Sequence, residues 1–288
     1  MNKNTRTDLA IESRVTSVKE GADDGIKTEE RELFGFTLTK TEIYKGRGER
    51  ESGRKAGIYL SLETGKLWLE GTEKRQNAVL AIKELLLELM PETDGGALVA
   101  ALGNEEITAD SIGPKVAQRL VITHHMKSLN PALYSALELG DLSAIVPRVL
   151  GQTGVESAVL VRAAADKIKP ACIIAVDALA ARSLSRLATT VQLTCTGIAP
   201  GSGVCNSREE LSEKTLGCPV IALGVPMVVD ASTMLWELGA VTEKGTEGFF
   251  VTPKESDVII RVMAEVIASA INSAVHRNAE NIEEYTPL

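Results

Sequence analysis

The chain has 288 residues, 44% of them hydrophobic, which is enough for one large α/β domain or two smaller ones and excludes a predominantly disordered protein. Its 39 acidic residues outnumber 31 Lys and Arg, giving a net charge of -8, and with no basic stripe this argues against direct contact with nucleic acid. The sequence reads as having no cleavable leader and no apolar run of the roughly eighteen residues that span a bilayer, so a cytoplasmic protein without a membrane partner is expected.

Residues 1–32 are polar, are interrupted by Gly21-Ala22-Asp23-Asp24-Gly25, and read as an N-terminal arm; residues 33–288 read as a single α/β domain. Alternating apolar positions from Phe34 to Ile43 predict a half-buried strand. Glu63-Thr64-Gly65, lying between Ile58–Leu62 and Lys66–Glu70, predicts a β-hairpin. Ile82, Leu85, Leu86 and Leu89 recur at helical spacing within 72–90, with Thr72 as a cap and Pro91 as a stop.

Ala97–Leu102 is a continuous apolar run that predicts a strand buried on both faces. It leads through Gly103-Asn104 to Asp110, with a helix expected from there to Met126. A strand at 143–147, a helix at 155–168 and a second buried strand from Cys172 follow, and that strand is expected to end at Asp177. Ala178-Leu179-Ala180-Ala181-Arg182 looks helical, so Asp177 reads either as an N-cap or as a chemical group. Further strands are expected at 191–194 and 220–225, with a Gly- and Pro-rich loop at 197–204 between them. Thr252-Pro253-Lys254-Glu255 reads as a capping box opening a packing helix whose apolar stripe runs from Val258 to Ala274.

Strands alternating with helices predict a mostly parallel sheet covered on both faces, and ligand sites in such sheets lie at the strands' carboxyl ends. Asp110 and Asp177 could then share one rim, where two nearby carboxylates keep one proton between them and act as base and acid on a water. Two Asp alone make a weak metal site, so no metal or cofactor is assigned. His124 and His125 enter only if their segment reaches the same rim. Cys172, Cys195, Cys205 and Cys218 show no C-x-x-C spacing and read as free thiols. A nucleophilic Cys195 or Cys205 served by His124 or His125 is a weaker reading, and nucleotide-binding glycine motifs and a G-x-S-x-G elbow are missing. Lys115 and Arg182, close in sequence to the two Asp, read as solvated or structural. A catalytically silent peptide-binding protein, with both Asp as caps, stays open.

The blocks 102–115, 144–147, 151–154, 174–183, 197–203, 226–231 and 251–255 resemble, in order, the germination protease (spore protease) family of spore-forming bacteria. The resemblance implies a three-layer α/β/α peptidase domain similar to hydrogenase maturation proteases, with an N-terminal extension containing a β-hairpin. It implies a homotetrameric endopeptidase of the forespore and spore core that degrades small acid-soluble spore proteins at germination. It further implies an atypical aspartic mechanism whose carboxylates fall on Asp110 and Asp177; neither stands in the pepsin-type Asp-Thr/Ser-Gly signature. The family is made as a zymogen that clips a substrate-like sequence, acidic residue, large apolar residue, Ala and a later Glu. Asp8-Leu9-Ala10-Ile11-Glu12 fits, so residues 1–8 are expected to be a propeptide cut between Asp8 and Leu9. Between Trp236 and Val251 the chain is shorter than many relatives. A metal-assisted maturation peptidase of the same fold is the alternative enzyme. Within the Asp pair, the proton is expected on the less well capped member.

Overall fold

The structure, a computed structural model, describes residues 7–12, 25–92, 95–201, 208–239, 246 and 248–277. The strands among these are β1 (Ile26–Leu33), β2 (Phe36–Ile43), β3 (Gly57–Glu63), β4 (Ala97–Ala101), β5 (Leu142–Ile145), β6 (Cys172–Ala181), β7 (Thr190–Thr194), β8 (Val220–Asp230) and β9 (Phe250–Val251). The helices are α1 (Arg47–Ser52), α2 (Thr72–Leu89), α3 (Ile112–Ala117), α4 (Met126–Leu129), α5 (Pro131–Ala136), α6 (Leu150–Thr153), α7 (Ser157–Ile168), α8 (Glu213–Leu216), α9 (Ala231–Glu237) and α10 (Ser256–Val275).

All strands join one mixed sheet in the order β1-β2-β3-β7-β8-β6-β4-β5, with β9 added to β8. The half from β8 to β5 is parallel, and the half from β1 to β8 is antiparallel. Successive side chains point to opposite faces, so the two buried strands feed two cores. Val99, Ile174 and Val176 pack with the apolar stripes of α2, α3 and α10. Leu98, Ala100, Ile173 and Ala175 pack with Ala158, Val161 and Ala165 of α7 on the other side. The fold is therefore α/β with helices on both faces of the sheet.

The helix α10 is long and apolar enough to cross a bilayer, a run missed in reading the sequence because Asp257, Arg261 and Glu265 interrupt it. Here 67% of its most apolar window is buried, because it is the central helix of the larger core.

Five local expectations are corrected. The strand β1 starts at Ile26, inside the stretch read as an arm; as a charged edge strand it buries only its end residues, so it carries no apolar alternation. The N-terminal hairpin is β1-β2, turning at Phe34 and Gly35 with both φ positive, whereas the segment after Gly65 is a single 3-10 turn that sinks Leu67 into the core. The edge of β3 away from β2 is taken by β7. The helix expected from Asp110 to Met126 stops at Ala117, and the chain straightens so that the Val121 N–H reaches Oδ1 of buried Asn272 at 3.0 Å. The last helix opens at Ser256 rather than Pro253, with Thr252 and Ser256 hydroxyls 2.8 Å apart.

Asp177 neither ends its strand nor caps a helix, because β6 runs on to Ala181. The alanines are held extended by β8, which pairs Asp177 with Gly224 and continues to Ala181 and Val229. Tertiary pairing overrides their helix propensity.

Candidate active site

The site exists because neighbouring strands have unequal lengths. Along β6 the partner β4 stops at Ala101, opposite Val176, while β8 continues on the other edge. The Leu102 N–H makes the last rung, to the Val176 carbonyl at 2.9 Å. Gly103 then takes φ of +107°, a conformation that L side chains rarely adopt, and a Cβ there would collide with the Asp110 carbonyl oxygen. The chain loops out and returns through a 3-10 turn, Thr108–Asp110. The Asn104 N–H fixes the return, donating to the Asp110 carbonyl at 3.0 Å and to its Oδ2 at 2.9 Å.

Asp177 is the first residue of β6 beyond the end of β4, and its side chain takes the same face as Ile173 and Ala175. It and Asp110 line one cavity of about 560 Å³. Both carboxyls titrate high. Burial pushes Asp110 up to about 6, against the opposing hydrogen bond from Asn104. Asp177, 5% exposed, is raised well above the ordinary value by burial first and by the Asp110 charge second. Each accepts one backbone N–H, Asp177 from Ala178 at 2.9 Å. Capping therefore does not discriminate between them; the deeper burial of Asp177 does, and it raises Asp177 further.

Where β4 departs, the edge of β6 is open, and residues 7–12 occupy it. The Asp8 N–H donates to the Ala180 carbonyl at 2.8 Å, and the Ala180 N–H donates to Asp8 Oδ2 at 2.8 Å. The Arg182 and Ser183 N–H groups donate to the two Glu12 carboxylate oxygens at 2.6 and 2.8 Å. Glu12 is only 4% exposed, and the Arg186 guanidinium lies 3.9 Å away. Leu9 is buried against Leu179, Ala181 and Val229, and Ala10 against Ile26, Ile43 and Tyr59. Asp8 lines the cavity that holds Asp110 and Asp177, and its charge adds to the upward push on Asp177.

Reading the sequence missed Arg54 and Gln192, which also line this cavity and bind the 7–12 segment. Gln192 was detectable as the one amide in the apolar stretch Val191-Gln192-Leu193 and is buried. Arg54 sits in the loop after α1, and nothing in its local pattern marks it. The loop residues Gly197, Pro200 and Gly201 reach the rim of the cavity; 202–204 lie outside the described residues, as do Cys205 and residues 240–245 and 247 of the short 236–251 stretch.

The other expected groups lie elsewhere. His124 Nδ1 is 2.8 Å from Asp141 Oδ1, just before β5 and therefore at the opposite, amino-terminal rim, and adjoining His125 is placed there with it. Lys127 binds the second Asp141 oxygen. Among the described residues, no group of three His, Cys, Asp or Glu is placed to hold a metal ion. Cys195 Sγ lies 3.5 Å from the Ile58 nitrogen, beyond the end of β7, and Cys172, Cys195 and Cys218 are free. The Lys115 ammonium turns to Gln118 at 3.3 Å, and Arg182 enters the site through its backbone.

Comparison with known proteins agrees with the blocks read from the sequence. The family profile described as germination protease matches residues 5–238. The germination protease of Caldanaerobacter subterraneus subsp. tengcongensis is 35% identical, covering 94% of each chain. That of Clostridium acetobutylicum is also 35% identical, again over 94% of each chain. Among solved structures, a nickel–iron hydrogenase maturation protease of Thermococcus kodakarensis aligns with 65% of this chain and 98% of its own at 15% identity and a TM-score of 0.36, a likeness too low to argue from. The chain belongs to the germination protease family.

Proposed function

We propose that this protein is a self-processing aspartic endopeptidase of the spore, made as a zymogen, that cuts small acid-soluble spore proteins with Asp110 and Asp177 as its water-activating pair. The observation that carries the reading is the seating of the Asp8-Leu9 bond. The segment predicted to be cut lies on the open edge of β6, in the cavity lined by both carboxylates. It docks by one backbone bond, from the Asp8 N–H to the Ala180 carbonyl, and by the Asp8 and Glu12 carboxylates that accept β6-side N–H groups, with Ala10–Glu12 wound into a 3-10 turn.

In this reading the Asp110 carboxylate takes a proton from water as the water oxygen attacks the Asp8 carbonyl carbon. Asp177 gives its proton to the Leu9 nitrogen as the C–N bond breaks. The proton taken up by Asp110 then returns the pair to its starting charge by exchange. The assignment of base and acid follows from burial: the more deeply buried Asp177 holds its proton at pH values where Asp110 has lost one.

Leu9, Ala10 and Glu12, which become the new N-terminus after the cut, fill sites that a second protein with the same residues in the same order would fill once that terminus swings out. Exposed Trp236, Leu238 and Phe249 supply apolar surface for assembly, consistent with the homotetramer that the family implies. Digestion of a small acid-soluble spore protein by the processed enzyme and by Asp110→Asn and Asp177→Asn variants tests the reading. Cleavage by the unmodified enzyme alone supports it; normal cleavage by either variant rejects the dyad.

A further inference from the structure

Asp177 pairs across the sheet with Gly224 on β8, and Gly224 pairs in turn with Gln192 on β7. Directly paired residues share a face, so Gln192 and Asp177 stand on the same side of the sheet about 10 Å apart, two strand spacings. Gly224 between them has no side chain, and a Cβ at that position would collide with the Leu179 side chain. The Leu179 side chain lies over Gly224 and separates a carboxyl bank from an amide bank.

The chain at residues 7–12 packs on Leu179 through Leu9, with its Asp8 carbonyl turned toward the amide bank. Gln192 Nε2 donates to the Asp8 carbonyl oxygen at 2.9 Å, and the Arg54 guanidinium donates to the same oxygen through Nη1 at 3.0 Å. Both residues also hold the flanking peptide. Gln192 Oε1 accepts the Ala10 N–H at 2.6 Å, and Arg54 Nη2 donates to the Thr7 and Leu9 carbonyls at 2.7 and 2.9 Å. Two donors thus converge on the one carbonyl of the segment whose carbon must become tetrahedral. Gln192 is buried, so its donor is fixed before reaction and is not competed for by water.

We propose that Arg54 and Gln192 are the oxyanion donors of this enzyme, stabilising the charge that develops on the carbonyl oxygen of the residue before the cut. The inference rests on the Asp8-Leu9 reading above. It divides the labour across Gly224: the carboxyl bank moves protons, and the amide bank takes the negative charge. Because these contacts are to backbone atoms, they apply equally to a second protein laid along the same edge.

The test uses the full-length chain with Arg54→Lys and Gln192→Met, each close in size to the native residue, and Asp177→Asn as the uncut control. Intact-mass time courses give the rate at Asp8-Leu9, and hydrogen exchange at Ala180, Arg182 and Ser183 reports whether the segment is still seated. The expected result is a fall of about 100-fold or more in rate for each variant with exchange protection at those three amides retained. Cleavage at the unmodified rate overturns the proposal. A slow rate accompanied by loss of protection also overturns it, because the two side chains then only seat the segment. Failure of the underlying reading looks different: the unmodified chain is cut elsewhere, or Asp177→Asn is cut too, whatever the two donor variants do.

Discussion

The two halves of the sheet contribute in different ways. In the parallel half, strands end at unequal heights and crossover loops fall on one rim, so β4 and β6 deliver a pair of carboxylates from distant parts of the chain. In the antiparallel half, β7 and the loop ahead of β3 deliver neutral and cationic donors that grip a peptide backbone. Burial at the parallel rim raises both carboxyl pKa values, and at Asp177 the Asp110 charge adds to it; the antiparallel side supplies hydrogen bonds that a bound chain completes. The 7–12 segment is the object on which the two meet.

Removing the carboxyl side has the largest expected effect. Asp110→Asn and Asp177→Asn should each slow cleavage by about 10²–10⁴-fold, measured by mass spectrometry of the product, with the segment still bound. Gly103→Ala should come next, because a Cβ cannot coexist with the returning Asp110 turn; lost activity and roughly 1–3 kcal/mol of stability in denaturant titration are expected. On the binding side, Glu12→Gln keeps the shape but weakens two charge-assisted bonds in a buried setting, and about tenfold slower self-cleavage is expected.

The pH dependence sharpens the contrast. With Asp110 as the proposed base and Asp177 as the proposed acid, the rate should rise as pH passes about 6 and fall again where Asp177 finally ionises. For stability the raised values work against the fold. Below the unfolded value of 3.8 both states are protonated and there is no penalty; as pH climbs from there to about 6, the unfolded chain loses the Asp110 proton first and stability drops. Asp177, higher still, extends that loss upward. Asp177→Asn should therefore melt above the unmodified protein at pH 7 by a margin that vanishes below about pH 4, read by thermal unfolding at both pH values. A variant more stable and inactive marks Asp177 as functional rather than structural.

What could be read in the sequence followed the same division. Ala97–Leu102 and Cys172–Val176 announced themselves as buried parallel strands, since burial on both faces leaves an unbroken apolar run, and the carboxylates just beyond them were visible for that reason. The ordered blocks around them carried the family. That Asp177 lies within its strand was hidden, because Ala178-Leu179-Ala180-Ala181 has helical propensity and only pairing with β8 holds it extended. Arg54 and the Glu12 amides were illegible for a deeper reason: backbone donors leave no mark on residue identity, and an arginine in a loop looks like solvated charge. β1 was lost because an edge strand needs no apolar face.

One bond, Asp8-Leu9, and one buried carboxyl, Asp177, stand at the centre of the proposed self-cleavage. An intact-mass time course of the full-length chain across a wide range of protein concentrations, run beside Asp177→Asn, tests both together. Because the segment lies in its own chain's cavity, the predicted result is loss of residues 1–8 with a rate independent of concentration, and no loss in the variant. A cut at another bond, or the same cut persisting in Asp177→Asn, would contradict the account.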